Sequence, residues 1–443
     1  MKKFDNLSKM HIFFVGIGGI SMSGLAKLIL SFGAKVTGSD LAHSKEIDTL
    51  KSLGVKIFSA HNESNISENI DLVVYSGAIH DSNPELQKAR NLNIATMERS
   101  QFLGEISRMY EKVIAVSGTH GKTTTTAMLG HIFSFANKKP TIHLGGESID
   151  LGGNTIIGEK DYFIVEACEY RNSFKFLHPD IGVITNIEKD HLDYYKDLNE
   201  INKCFHHFAR NSKKIVIDKK LSINKKSKIS IGSDWEARDM FFNNLGFDYN
   251  VYYLGKYFCS IRLNMLGRHN ILNSLFAIAV AHEEGISTDN ISNALSQFHG
   301  VERRYESIGS LEGTQVIIDY AHHPTEIKNS VIGLQDAYPN ILTVFQPHTY
   351  SRTLSLMKEF VEILDPIENL ILYKTYPARE EEIVGGRAED LCVNLHGKDC
   401  VLDFDKLIEK IKEMLKNNNF DAVLVLGAGD LAENLRNYFS KNY

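Results

Sequence analysis

The chain has 443 residues, of which 43% are hydrophobic and 23% charged, with a formal net charge of -6. This is the composition of an ordinary globular protein, and at about 150 residues per domain the length suggests three domains. The mild negative charge gives no general attraction to nucleic acid or to an anionic membrane surface, so neither partner is expected.

Lys2 and Lys3 open the chain, but polar residues follow and Gly16 soon interrupts the first apolar run. Neither a signal peptide nor a membrane span is expected. Five cysteines without a C-x-x-C pair argue against a disulfide frame or structural zinc and fit a reducing cytoplasm. From there to about residue 100, short apolar runs at 12–15, 35–37, 56–58 and 72–75 alternate with helix-like segments at 23–30 and 84–90. That alternation predicts βαβ units on a parallel sheet. Gly16-Ile17-Gly18-Gly19-Ile20-Ser21 lies between the first strand and the first helix, with Met22 and Ser23 following and Asp40 closing the next strand. It nearly reproduces a dinucleotide fingerprint, with Ser21 where a third small residue is usual, and suits any nucleotide diphosphate.

The pattern restarts at Val113. Gly118-Thr119-His120-Gly121-Lys122-Thr123-Thr124 follows an apolar strand and opens a helix, presenting backbone N–H groups and a helix dipole to phosphates. Lys122 supplies charge for the β- and γ-phosphates of ATP, and the Thr123 hydroxyl suits Mg²⁺. Val116 departs from the general phosphate-loop pattern, which has glycine there. Glu166, at the end of the run 162–166, is placed to ligate Mg²⁺. His191 lies beyond the run 181–186 among Glu188, Asp190 and Asp193, either as a site residue or within a solvated acidic turn. Residues 213–264 are strand-rich and turn-broken, which predicts a small antiparallel sheet appended to this domain. A helix is expected over 270–284, where Asn270 either caps it or reads a purine ring.

A third restart runs through 315–319, 342–345, 370–373 and 422–426, each followed by helical periodicity. Asp319-Tyr320-Ala321-His322-His323-Pro324-Thr325 and Gln346-Pro347-His348-Thr349-Tyr350-Ser351-Arg352 lie just past two of these strands. That is the usual place for ligands in open α/β sheets, and Arg352 suits a carboxylate. The expectation is an α/β chain of three domains: residues 1–108 Rossmann-like, 109–301 of P-loop ATPase type with the small antiparallel sheet, and 302–443 Rossmann-like.

These motifs, with Ser76-Gly77-Ala78-Ile79, Asn83-Pro84-Glu85, Thr185-Asn186-Ile187 and His269-Asn270 with Asn273, resemble the Mur ligase family in order along essentially the whole chain. The resemblance implies ATP- and Mg²⁺-dependent ligation in peptidoglycan synthesis. The paired histidines after Tyr320 favour addition of L-alanine to UDP-N-acetylmuramate over attachment of a preformed tripeptide. By the same resemblance, Gly16, Gly18, Gly19, Ser21, Met22, Ser23, Asp40 and Ser76 hold the sugar nucleotide in residues 1–108. Gly118 to Thr124, Asn270, Asn273, Arg304 and Asp319 hold ATP. Thr123, Glu166 and His191 hold magnesium, while Tyr320, His322, His348 and Arg352 form the alanine pocket. Lys122, His191, Arg304, His348 and Arg352 are the implied catalytic set, with His191 or His348 accepting the amine proton. Thr349, Cys168 and Ser21 depart from the family pattern: some members carry arginine, an acid and glycine there. A monomer or homodimer is expected.

Overall fold

The computed structural model describes residues 6–191, 194–243, 246–335, 337–378 and 380–442. Three sheets follow one another along the chain. The first holds β1 (His11–Val15), β2 (Lys35–Ser39), β3 (Lys56–Phe58), β4 (Leu72–Tyr75) and β5 (Ala95–Glu98), in the order β3-β2-β1-β4-β5. Every pair in it is parallel. The second has ten strands: β6 (Lys112–Ser117), β7 (Thr141–Ser148), β8 (Gly153–Ile156), β9 (Tyr162–Glu166), β10 (Ile181–Ile184), β11 (Lys214–Asp218), β12 (Lys228–Ile231), β13 (Trp235–Phe242), β14 (Phe247–Tyr253) and β15 (Lys256–Leu263). The third, of six strands, comprises β16 (Glu306–Leu311), β17 (Thr314–Asp319), β18 (Ile341–Phe345), β19 (Leu370–Tyr373), β20 (Asp399–Val401) and β21 (Ala422–Leu426).

The apolar runs are strands because they are covered on both faces. β1, β18 and β21 are buried along their whole length, as parallel strands under helices must be. One apolar cluster runs from Ile12 and Leu25 through Phe102 to Phe163 and Phe205, joining the first sheet to one face of the second. The opposite face of the second sheet packs on Ile132 and Phe276. The helix expected at 23–30 spans Ile20–Ser31. That at 84–90 spans Pro84–Asn91, with Asn83 as its cap and proline in its first turn.

The segment 213–264 divides differently from expectation. β11 and β12 pair parallel and extend the central sheet, and only β13–β15 form an antiparallel ribbon, continuous with that sheet through Ile231 and Trp235. β13 is solvated along much of its length, as one face of an antiparallel ribbon can be. The sequence reading also missed β5, β7, β8, β16 and β20, of which β8 and β16 are antiparallel edges. These strands are short or polar and carry little period-2 signal. Among the described residues no helix is long and apolar enough to cross a membrane.

The first and second units meet closely at Gly24. A Cβ there would lie 2.9 Å from His143 Cε1 and press on Thr155 Oγ1, while Asn154 Nδ2 donates to the Ile20 carbonyl across the same contact (2.6 Å). Gly24→Val is therefore expected to lower stability by about 1–3 kcal/mol through overpacking; denaturant melts of both forms measure it.

Candidate active site

The phosphate-loop sequence forms the turn between β6 and the helix Lys122–Phe135. Gly121 occupies the left-handed region (φ +80) as that helix's N-cap, and its missing Cβ leaves room for Asn273 Oδ1, which a side chain would meet at 2.5 Å. The loop is fastened to the segment after β10. His120 N donates to Asn186 Oδ1 (2.8 Å), Thr185 Oγ1 donates to the His120 carbonyl (2.6 Å), and Glu188 N donates to Thr119 Oγ1 (2.9 Å). Lys122 Nζ curls into its own loop, donating to the carbonyls of Gly118 (2.6 Å) and Thr119 (3.0 Å) and to Glu169 Oε1 (3.0 Å). Burial opposes its charge, but the carboxylate of Glu169 outweighs that and holds the ammonium well above its usual pKa.

Thr123 and Glu166 come together on either side of Gly145-Gly146. Gly145 N donates to Glu166 Oε2 (2.8 Å), and a Cβ on Gly146 would sit 3.4 Å from Thr123 Cγ2. Glu169, which the sequence reading did not single out, completes the cluster. It is 2% exposed, its Oε2 lies 3.0 Å from Lys122 Nζ yet accepts no hydrogen bond, and its Oε1 lies 3.7 Å from His191 Nε2. His191 is left-handed (φ +54), packed 4.6 Å from the Tyr170 ring, with Asp190 Oδ2 3.8 Å away. Asp193 lies outside the described residues.

In the first unit, the glycine turn spends its own amides. Gly16 N and Ile17 N donate to the Ser39 carbonyl (2.8 and 3.0 Å), and Gly18 N donates to Asp40 Oδ2 (2.8 Å). Gly19 is the helix N-cap. The N–H groups left for an anion are those of the first helical turn, Ile20 to Met22. Asp40 also braces the turn, its Oδ1 accepting from Ala42 N (3.0 Å). Met22 is a core side chain and the Ser23 hydroxyl donates to the Ile20 carbonyl (2.9 Å), so these two can serve only through their backbone. Ser76 closes the turn from β4, its Cβ 3.3 Å from where a Gly16 Cβ would be. The Ser21 hydroxyl bonds His143 Nε2 (2.8 Å) and accepts from Arg99 (3.2 Å). Arg99 was also missed. Among the described residues its guanidinium has no carboxylate partner, and its charge reaches the half-buried Cys168 beside the phosphate loop.

The third unit brings its two polar clusters to the same cleft. Asp319 Oδ1 accepts from Ala321 N (2.9 Å) and Ser330 Oγ (3.0 Å), and lies 3.5 Å from Arg304. Burial pushes the Asp319 carboxyl up, with Arg304 pulling it back. Arg304 stacks over Tyr320 (5.6 Å) between two left-handed residues, Arg303 (φ +59) and Tyr305 (φ +51). His322 Nδ1 donates to the Tyr320 carbonyl (2.9 Å), which leaves its Nε2 as an acceptor. His348 is oriented the other way. Arg352 can only donate, so His348 Nδ1 accepts from it (3.3 Å) and His348 Nε2 carries the proton. Burial and the Arg352 cation push His322 down to about 3 and His348 to about 4. His348 is thus a donor suited to a carboxylate and poorly suited to accepting the amine proton. Thr349 is left-handed (φ +67), a costly setting for a β-branched residue, and is pinned by its N–H to the Tyr376 carbonyl (2.9 Å).

Side chains cross the cleft between the second and third units. Arg352 reaches Asp190 (3.2 Å), His323 Nε2 donates to the Lys189 carbonyl (2.9 Å), Thr325 Oγ1 donates to Glu188 (2.6 Å), and His120 Nδ1 meets Glu326 (3.2 Å). Asn270 is buried and does not cap its helix. Arg268 is the N-cap, and the Asn270 amide donates to the Leu266 carbonyl (2.8 Å) and accepts from Asn273 (3.0 Å).

The histidines set a pH dependence. His143 (about 3), His269 (about 4), His322 (about 3) and His348 (about 4) are held neutral mainly by burial. Unfolded, each takes a proton near pH 6.5, so stability rises with pH between about 4 and 6.5. His120 acts oppositely: burial disfavours its charge, but Glu188 and Glu326 raise it to about 9. Its contribution is complete below about pH 6.5 and disappears as the pH rises through 9. Thermal melts from pH 4 to 10 should show a maximum near neutrality, with a flatter alkaline side in His120→Asn.

Comparison with known proteins agrees with this geometry. Residues 11–111 match the Mur ligase family catalytic domain, 116–281 the Mur ligase middle domain, and 303–429 the Mur ligase glutamate ligase domain. The UDP-N-acetylmuramate–L-alanine ligase of Clostridium kluyveri is 43% identical over 455 residues, covering 97% of each chain. That of Clostridium novyi is 41% identical over 451 residues, covering 96% of each. The crystal structure of the Thermotoga maritima UDP-N-acetylmuramate-alanine ligase superposes with a TM-score of 0.81 at 29% identity, covering 98% of this chain and 99% of that one. A murein peptide ligase from Psychrobacter arcticus shares the fold (TM-score 0.74, 24% identity, 97% and 98% covered). This chain belongs to the Mur ligase family.

Proposed function

We propose that the chain joins L-alanine to the lactyl carboxylate of UDP-N-acetylmuramate, with ATP converted to ADP and phosphate, in cytoplasmic peptidoglycan synthesis. Residues 1–108 would hold the sugar nucleotide, 109–301 ATP and 302–443 the amino acid. The observation that carries this is the cleft in which Lys122 and Glu169 on the central sheet face His322, His348 and Arg352 on the third, joined by Arg352 to Asp190. The full-length identity to alanine ligases supports the choice of acceptor.

The chemistry follows from the groups present. A carboxylate is a poor acyl donor because oxide would have to leave. Attack by its oxygen on the γ-phosphorus forms a C–O–P linkage and breaks the bond to the β-phosphate oxygen, releasing ADP. The alanine nitrogen then attacks the acyl carbon, and the tetrahedral intermediate expels phosphate while the nitrogen gives up a proton. No covalent enzyme intermediate is needed, so the protein contributes alignment and charge. Lys122 and Arg304 meet phosphate oxygens, and Arg99 meets an anionic group of the sugar nucleotide as it passes from the first unit to the phosphate loop. Thr123, Glu166 and Glu169 offer oxygen ligands of the kind Mg²⁺ takes, and His191 borders Glu169. Bound Mg²⁺ would neutralise charge on the transferring phosphoryl group. In the acceptor pocket His348 Nε2–H and Arg352 donate to the alanine carboxylate, while His322 Nε2 accepts from its amine. The two neutral histidines thereby distinguish the two ends of the amino acid.

Phosphate release should require UDP-N-acetylmuramate, Mg²⁺ and alanine together and yield a product heavier by one alanyl residue. Release with a tripeptide in place of alanine would instead identify a peptide-attaching ligase. Arg352→Ala is expected to lower kcat/KM for alanine by roughly 10- to 100-fold, the size of a lost charge-assisted hydrogen bond. Steady-state kinetics with ATP and sugar nucleotide saturating would measure it.

A further inference from the structure

Glu326 sits in the first turn of the helix Pro324–Gln335, and its side chain is only 10% exposed. Three elements converge on its carboxylate. Oε1 takes His120 Nδ1 of the phosphate loop at 3.2 Å and Arg304 at 3.5 Å. Oε2 takes the backbone N–H of His322 at 3.2 Å and lies 3.4 Å from His322 Nδ1. Arg304 and His322 belong to the same unit as Glu326, so they stay with it however the units are placed. His120 does not.

His120 also has a second contact. Its Nε2 lies 3.6 Å from Glu188 Oε2, the oxygen that receives the Thr325 hydroxyl at 2.6 Å. Thr325 precedes Glu326, so the contacts close a ring across the cleft: His120 to Glu326, Thr325 to Glu188, and Glu188 back to His120. A buried carboxylate is stable only with its cations in place. Glu326 therefore gains its full set of partners only when the phosphate loop is docked, and docking adds His120 to the carboxylate that already holds Arg304 and the His322 backbone.

Resting on the ligase reading above, we propose that Glu326 is the positioning residue that makes docking of the phosphate loop and assembly of the acceptor pocket a single event, with His120 as its partner in the loop. It touches neither nucleotide nor amino acid. Its role is to bring the phosphate loop into register with the pocket formed by His322 and Arg352.

Glu326→Gln keeps the shape and removes the charge. It is expected to lower kcat by roughly 10- to 100-fold, as a small misplacement of reacting groups does, and to raise the alanine KM severalfold with the ATP KM unchanged within about twofold. Glu326→Asp should recover part of the loss, and His120→Asn combined with Glu326→Gln should lose no more than the worse single variant. Small-angle scattering with a non-hydrolysable ATP analogue and Mg²⁺ should show a larger radius of gyration for Glu326→Gln than for the wild type. Wild-type kcat and alanine KM in Glu326→Gln, or additive losses in the double variant, would overturn the proposal. If Glu326→Gln does not fold, His120→Asn alone must show the same kcat and alanine effects or the proposal fails. A wild type without alanine-dependent phosphate release would instead refute the ligase reading; the scattering comparison needs no turnover, and equal radii there would refute the role of Glu326 independently.

Discussion

The site depends on one constraint: charged side chains of the second and third units must meet across a cleft rather than within a domain, as the proposed reaction requires if phosphates are handled on one sheet and an amino acid on another. Each face of that cleft carries charge that is costly to bury alone. Lys122 is matched by Glu169 inside the central unit, whereas Arg352 finds Asp190 only across the gap and His120, already beside Glu188 of its own unit, gains Glu326 there. The desolvation penalty for an unpaired buried ion is several kcal/mol, so the juxtaposition of the two units is enforced by the same groups that would bind substrate. Local strain is concentrated at this cleft. Arg303, Tyr305 and Thr349 all adopt left-handed backbone, and each is held there by hydrogen bonds from a neighbouring strand or loop.

Neutral histidines are the counterpart of these ion pairs. Beside a guanidinium, a buried imidazole is kept unprotonated, and its hydrogen-bond direction is then decided by the partner of one ring nitrogen. The Tyr320 carbonyl makes His322 an acceptor at Nε2, and Arg352 makes His348 a donor at Nε2. Two residues of one type present opposite polarity to the same pocket. An α-amino acid has the matching asymmetry, with N–H at one end and carboxylate at the other.

Much of this was legible in the sequence because it rests on local patterns. Three or four apolar runs per sheet, alternating with helix-like segments, specified the parallel cores, and the Gly118 to Thr124 loop declared its chemistry by its glycines, lysine and threonine between a strand and a helix. Glu169, Arg99 and Glu326 were not legible as site residues, since an isolated acid or arginine carries no periodic or spacing signal and their partners lie far off in sequence. The nearest available cue for Glu169 was its place three residues beyond Glu166 at the end of a buried strand. Asn270 and Asp40 show a different problem: their residue types suit ligands, but in the fold their polar atoms also bond Leu266, Asn273, Gly18 and Ala42, contacts that no spacing foretells. Which polar groups remain for a ligand is a question of three-dimensional accounting, and sequence spacing does not answer it.

The central claim is that the substrate carboxylate is phosphorylated on the central sheet before the amine on the third sheet attacks it. The most direct test is to supply UDP-N-acetylmuramate with both lactyl carboxylate oxygens labelled with oxygen-18 and to analyse the phosphate released by mass spectrometry. Transfer of one labelled oxygen to phosphate for each amide formed is the expected result. Unlabelled phosphate accompanying normal amide formation would contradict the account.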